Sequence, residues 1–188
     1  MKLLPLTVFA TLTLAACGDP AQRFAVPPVT PEASVSIAYG TVEVREVALP
    51  TFAALEEIFI ESADGSLTSS SSLLWADDPI RASTLELTRS LGAITGARIA
   101  SEPWPFDSFP DVRVEVRFED FVASYATAEF RVSGQYFVAP VDGVGRERAE
   151  AFRLSVPLAV DAGPAAIAAA RGQAMAQLAE LIARNGLR

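Results

Sequence analysis

The sequence predicts an α+β fold: an antiparallel β-sheet with two α-helices packed on one face. Three observations carry this. Residues 111–121 and 128–138 largely alternate apolar and polar side chains, the period of strands with one face buried and one solvated. Two other stretches, from Asp77 and from Asp161, show helical apolar spacing behind helix-start signals. The chain has 188 residues and 51% hydrophobic content, enough for one domain with a sizeable core.

Residues 3–16 are free of charge and follow Lys2, the sole lysine. A membrane-spanning helix needs roughly 20 apolar residues. This run is shorter and contains Pro5, so residues 1–16 read as a signal peptide. Leu14-Ala15-Ala16-Cys17 resembles the bacterial lipobox, which makes Cys17 the expected lipid acceptor; an ordinary signal peptide with an incidental Cys is the other reading. Residues 17–34 then form a Pro-rich tether, with Pro20, Pro27, Pro28 and Pro31 favouring extended backbone. Phe24 and Val26 are where the chain is expected to dock first on the domain, residues 35–188. Gly18, rather than Asp, follows Cys17. By enteric sorting rules this leans towards the outer membrane, facing the periplasm, and leaves the inner membrane open.

Residues 36–49 read as a strand with Val42 and Val44 inward, Glu43 and Arg45 outward, and a change of phase at Glu46-Val47. Glu57–Glu61 alternates again. Asp64-Gly65 then turns the chain so that Leu67–Leu74 pairs back. Asp77-Asp78-Pro79 starts a helix with the stripe Ile80, Thr84, Leu87, Leu91 and Ile94, ended by Gly96. In the second long strand Gly134 falls on the inward face, where it would mark the close approach of a helix. Phe152, Leu154, Val156, Leu158 and Val160 make a third strand, placed at an edge because Pro157 faces outward. The last helix carries Ile167, Ala170, Ala174, Leu178, Leu181 and Ile182 inward. Its alanines suit close helix–sheet packing and equally an oligomer interface.

Composition excludes several functions. There is no His, and the single Cys and single Lys both lie in the first 17 residues. Imidazole-based nucleophilic catalysis and His- or Cys-ligated zinc are therefore absent, and no cofactor is expected. The adjacent acids Asp77-Asp78 and Glu56-Glu57 read as cap and surface, and Gly143-Val144-Gly145 is too little for a phosphate loop. A net charge of -8 argues against nucleic-acid binding and polybasic membrane adhesion.

Two features remain as candidate partner contacts. The loop Glu102–Pro110 gathers Trp104, Phe106 and Phe109 among three prolines. It reads either as a lid folded over the core, the commoner outcome, or as a contact surface for a partner or lipid. Trp75, just ahead of the first helix, reads as an anchor of that helix first and as a partner contact second.

The order of these pieces resembles the ABC-type transport auxiliary lipoproteins, the family of paraquat-inducible protein C. The pieces are the lipobox at Cys17, Phe24-Ala25-Val26, and Val42-Glu43-Val44 through Leu49-Pro50. Leu74-Trp75-Ala76-Asp77 opening a helix that ends near Leu91-Gly92, the strand Val112–Phe118, and Val132-Ser133-Gly134 complete the set. The resemblance implies a non-enzymatic, lipid-anchored periplasmic subunit of a mammalian-cell-entry (MCE) type intermembrane lipid transport system that supports outer-membrane integrity. It implies as partners an MCE-domain substrate-binding protein and an ABC permease complex, with phospholipid as cargo. A homo-oligomeric ring extending the conduit fits a domain too small to enclose a lipid path alone. The competing reading is an envelope lipoprotein acting as an assembly or adaptor module without lipid contact.

Overall fold

The structure, a computed structural model, describes residues 20–31 and 33–188; the signal peptide and Cys17 lie outside the described residues. In chain order the elements are β1 (Gln22–Phe24), β2 (Thr41–Val44), β3 (Ile60–Glu61), β4 (Leu67–Thr68) and β5 (Leu73–Trp75). Then come α1 (Pro79–Thr95), β6 (Arg98–Ser101), β7 (Val112–Ser124), β8 (Glu129–Pro140), β9 (Arg148–Pro157) and α2 (Pro164–Leu181). A π-helical turn at Ile182–Gly186 follows. The fold is α+β, a mixed and mostly antiparallel sheet with two helices that touch each other and the sheet.

The central strand is β7. On one side it pairs antiparallel with β8, which pairs antiparallel with the edge strand β9. On its other side β2 pairs parallel with the start of β7 and β3 with its end. Beyond them lie β6, parallel to β2, and β4, antiparallel to β3. The alternation seen in the sequence is realised directly: Val112, Val114, Val116, Val132 and Val138 are all buried beneath the helices. The opposite face carries ion pairs such as Arg113–Glu43 and Arg117–Glu115. Glu43 points to that face as expected, yet its side chain is only 7% exposed, because Arg113 covers it.

Three strand expectations shift. The 36–49 stretch forms only β2 and one bridge, Ala48 to Arg117. Between them the chain steps off the ladder, and the Val47 amide donates to Thr84 Oγ1 of α1 at 3.1 Å. The third strand starts earlier and ends at Pro157, which leaves Val160 67% exposed instead of inward. Finally, what approaches Gly134 is not a helix. The β7–β8 register slips between Phe118 and Asp120, and a Cβ on Gly134 would lie 2.1 Å from the Arg117 carbonyl oxygen. The glycine accommodates this β-bulge, which lets Phe118 and Phe121 both face inward despite their odd spacing.

The α1 signals hold, whereas α2 starts at Pro164 behind Gly163 with no side-chain cap. Asp78 caps α1 by accepting from the Arg81 amide at 2.8 Å, Pro79 occupies the first turn, and Gly96 closes it at φ 67°. The chain after β1 is closely packed on α2: a Cβ on Gly172 would meet Val26 Cγ1 at 3.0 Å and Pro27 O at 3.2 Å. Parallel pairing of β1 with β5 completes the docking, and the Ala76 amide donates to Phe24 O at 3.0 Å.

Candidate functional site

Two clusters stand out, and the four aromatic candidates divide between them. Trp75 belongs to the interior. It is 6% exposed, so as a partner contact it is withdrawn from the surface. The Arg171 guanidinium lies 4.7 Å from its ring centroid and 5.4 Å from that of Phe121. Phe121 in turn meets Phe118 and Phe130 edge to face.

Arg171 is an arginine in the core, 1% exposed, on an otherwise apolar face of α2. Its Nη2 donates to Ser83 Oγ at 3.0 Å and to Glu86 Oε1 at 3.1 Å, joining α2 to α1. Burial pushes the Glu86 carboxyl above its ordinary 4.5 and the Arg171 guanidinium below its ordinary value; each charge opposes the other's shift. Arg171 Nε and Glu86 Oε2 have no hydrogen-bond partner among the described residues. Both residues line a cleft of about 200 Å³ walled by Phe24, Val26, Trp75 and Arg89. The sequence reading missed this pair. Its signal was one charge of opposite sign on each helix's buried face: Glu86 three residues from Ser83, and Arg171 four from both Ile167 and Met175.

The other three candidates lie together at the opposite end of the sheet. The loop from Glu102 to Pro110 joins β6 to β7. Its start is fixed by Glu102, whose Oε2 accepts from Arg45 Nε at 2.8 Å. Its end is fixed by Asp111, whose Oδ2 accepts from the Gly40 and Thr41 amides at 2.8 Å each. The Thr41 amide bond is the main reason the Asp111 carboxyl sits below its ordinary 3.8. Between these points Trp104 Nε1 donates to Ser108 O at 2.5 Å, closing the loop on itself. Trp104 and Phe106 meet edge to face at 5.0 Å, and the Arg98 guanidinium covers Phe106 at 5.2 Å.

This loop is not folded over the core. Phe106 is 42% and Phe109 80% exposed, while Trp104 is partly buried. Phe109 borders an open depression of about 600 Å³ with Tyr39, Pro110, Val141 and Val144, and Val144 is itself 75% exposed. Two large apolar side chains are thus held out into solvent from a loop tied down at both ends. No acid–base or nucleophile–base arrangement accompanies them. Among the described residues no three His, Cys, Asp or Glu side chains group for a metal, and no helix is long and apolar enough to cross a membrane.

The family model described as ABC-type transport auxiliary lipoprotein component matches residues 24–183. The fold is similar to that of protein XCC0632 from Xanthomonas campestris: TM-score 0.71 at 18% identity, over 89% of this chain and 95% of that one. It is also similar to the crystal structure of an uncharacterized protein, with TM-score 0.68 at 17% identity over 86% of this chain and 96% of that one. A PelC dodecamer from Paraburkholderia phytofirmans is less similar, with TM-score 0.44 at 12% identity, over 84% and 96% of the two chains. No curated protein matches the chain.

Proposed function

The chain belongs to the family of ABC-type transport auxiliary lipoprotein components, and from that premise we propose that it is the periplasmic auxiliary subunit of an MCE-type lipid transport system. In this reading acyl chains on Cys17 hold the domain at the outer membrane, where the system supports membrane integrity. Two or more acyl chains suffice for stable anchoring, so an acidic domain needs no basic face for the purpose. The domain docks on the protein conduit formed by the MCE-domain protein and the ABC permease.

The observation that supports docking is the exposed pair Phe106 and Phe109, held on a loop fixed at both ends, while every other aromatic side chain among the described residues is buried or half-buried. Affinity isolation of the lipidated protein from detergent-solubilised envelopes tests the reading. The expected result is co-isolation of the MCE-domain protein and the permease; isolation with a different transport complex, or alone, contradicts it. The adaptor reading separates by mass spectrometry of the detergent-purified soluble domain. Phospholipid retained by the isolated domain supports contact with cargo, and its absence with the complex intact favours the adaptor.

A further inference from the structure

The position of β1 gives the domain a direction relative to its anchor. Four residues, 18–21, separate Cys17 from Gln22, and five residue steps span at most about 18 Å. Gln22 is bound in place: its amide donates to Ser72 O at 2.7 Å, and Arg23 pairs with Glu56 at 2.9 Å. β5, which receives β1, is bridged antiparallel to Glu57, just ahead of β3, and β3 runs beside the last residues of β7. The chain therefore enters the domain where β7 ends. Phe106 and Phe109 lie where β7 begins, beside the Gly96 end of α1. β7, with 13 residues and a length of about 40 Å, runs from the one place towards the other.

The charges around the patch point the same way. Asp111 and Asp142 border the depression and Asp107 lies between Phe106 and Phe109 in the loop, three exposed acids against the exposed Arg98 and Arg146. An acidic rim disfavours an anionic lipid surface and complements a basic one.

We propose that the patch of Phe106, Phe109 and Val144 is the membrane-distal end of the anchored domain, and that it seats a protein whose contact surface is apolar with a basic rim. The proposal rests on the lipid-anchored reading above but not on the partner being an MCE protein. The two ends then have separate duties. One is tied to the bilayer through β1, and the other is presented to a second protein.

Because Cys17 is the sole cysteine and would carry the lipid, Ala21→Cys and Phe109→Cys each give the lipidated chain one free thiol. A fluorophore on each, in proteoliposomes containing nitroxide-labelled lipid, reads proximity to the bilayer. Quenching at position 21 with none at position 109 is expected. Equal quenching at both means the domain lies flat with its patch on lipid, and overturns the proposal. A photo-crosslinking residue at position 109 in cells supplies the second arm. The expected product is a heterologous protein adduct that is lost when Asp107→Lys and Asp142→Lys are added. An adduct to lipid alone, an adduct to a second copy of this chain alone, or an adduct insensitive to those charges overturns it. A charge-sensitive adduct to a protein without an MCE domain upholds this proposal and contradicts the functional reading above.

Discussion

Two aromatic clusters share a chemistry and differ in fate. Each has a tryptophan, an edge-to-face aromatic contact (Phe121 on Phe118 and Phe130 within, Trp104 on Phe106 without) and an arginine over a ring: Arg171 over Trp75, Arg98 over Phe106. The first is under a helix pair and is part of what folds the domain. The second is on a loop fixed at both ends, and its outermost ring, Phe109, is 80% exposed. The lesson is that aromatic content does not assign a role. What is packed over the rings decides between core and contact surface. The two clusters should therefore respond oppositely to the same kind of change.

The largest effect belongs to the inner cluster. Trp75→Ala should cost about 3–5 kcal/mol, as expected for a large buried aromatic, and chemical denaturation measures it. Next is Arg171→Met, which strands Glu86 under α2 and should cost about 3 kcal/mol at neutral pH. Adding Glu86→Leu should recover most of that loss, because it removes the stranded carboxylate. The sign with pH follows. Burial already raises the Glu86 carboxyl above 4.5, so lowering the pH protonates it and the Arg171→Met deficit shrinks. A deficit that grows on acidification contradicts this account of the pair.

A smaller effect comes from the sheet's other face. Glu61 sits below its ordinary 4.5, first through Ser124 and then through Arg131. A lowered carboxyl contributes stability that is complete above its unfolded value and is lost as pH falls through the folded one. Stability should therefore decline on acidification below about pH 4.5, and Glu61→Gln should flatten that decline by less than about 1 kcal/mol. Denaturant midpoints taken across pH 3–6 check this.

Much of this contrast could be read from the sequence, and its gaps have physical causes. Alternation places β7 and β8 within a few residues, since a half-buried sheet imposes period two. Asp78, Pro79 and Gly96 placed both ends of α1 because caps are local chemistry. Parallel pairing of β2 with β6 and β7 was not legible, because it is set by crossovers and not by the strand's own residues. The bulge beside Gly134 belongs to the neighbouring strand, so Gly134 alone misdirected the reading towards a helix. Loop Glu102–Pro110 reads from sequence more readily as a lid than as a contact. Its proline and aromatic content fits both, and only the clamps at Glu102 and Asp111 decide which way the rings point. Arg171 stayed hidden because a lone charge among alanines is ordinary on a solvated helix, and burial came from the partner helix carrying Glu86.

The smallest effect on stability should accompany the largest effect on assembly, and it is the most direct test. In the lipidated chain, Phe106→Ala with Phe109→Ala should leave the unfolding free energy within about 0.5 kcal/mol of the parent, as for exposed side chains. The same double variant should no longer co-isolate its transport partner. Partner retention at parental levels with the domain intact would contradict the assignment of this surface.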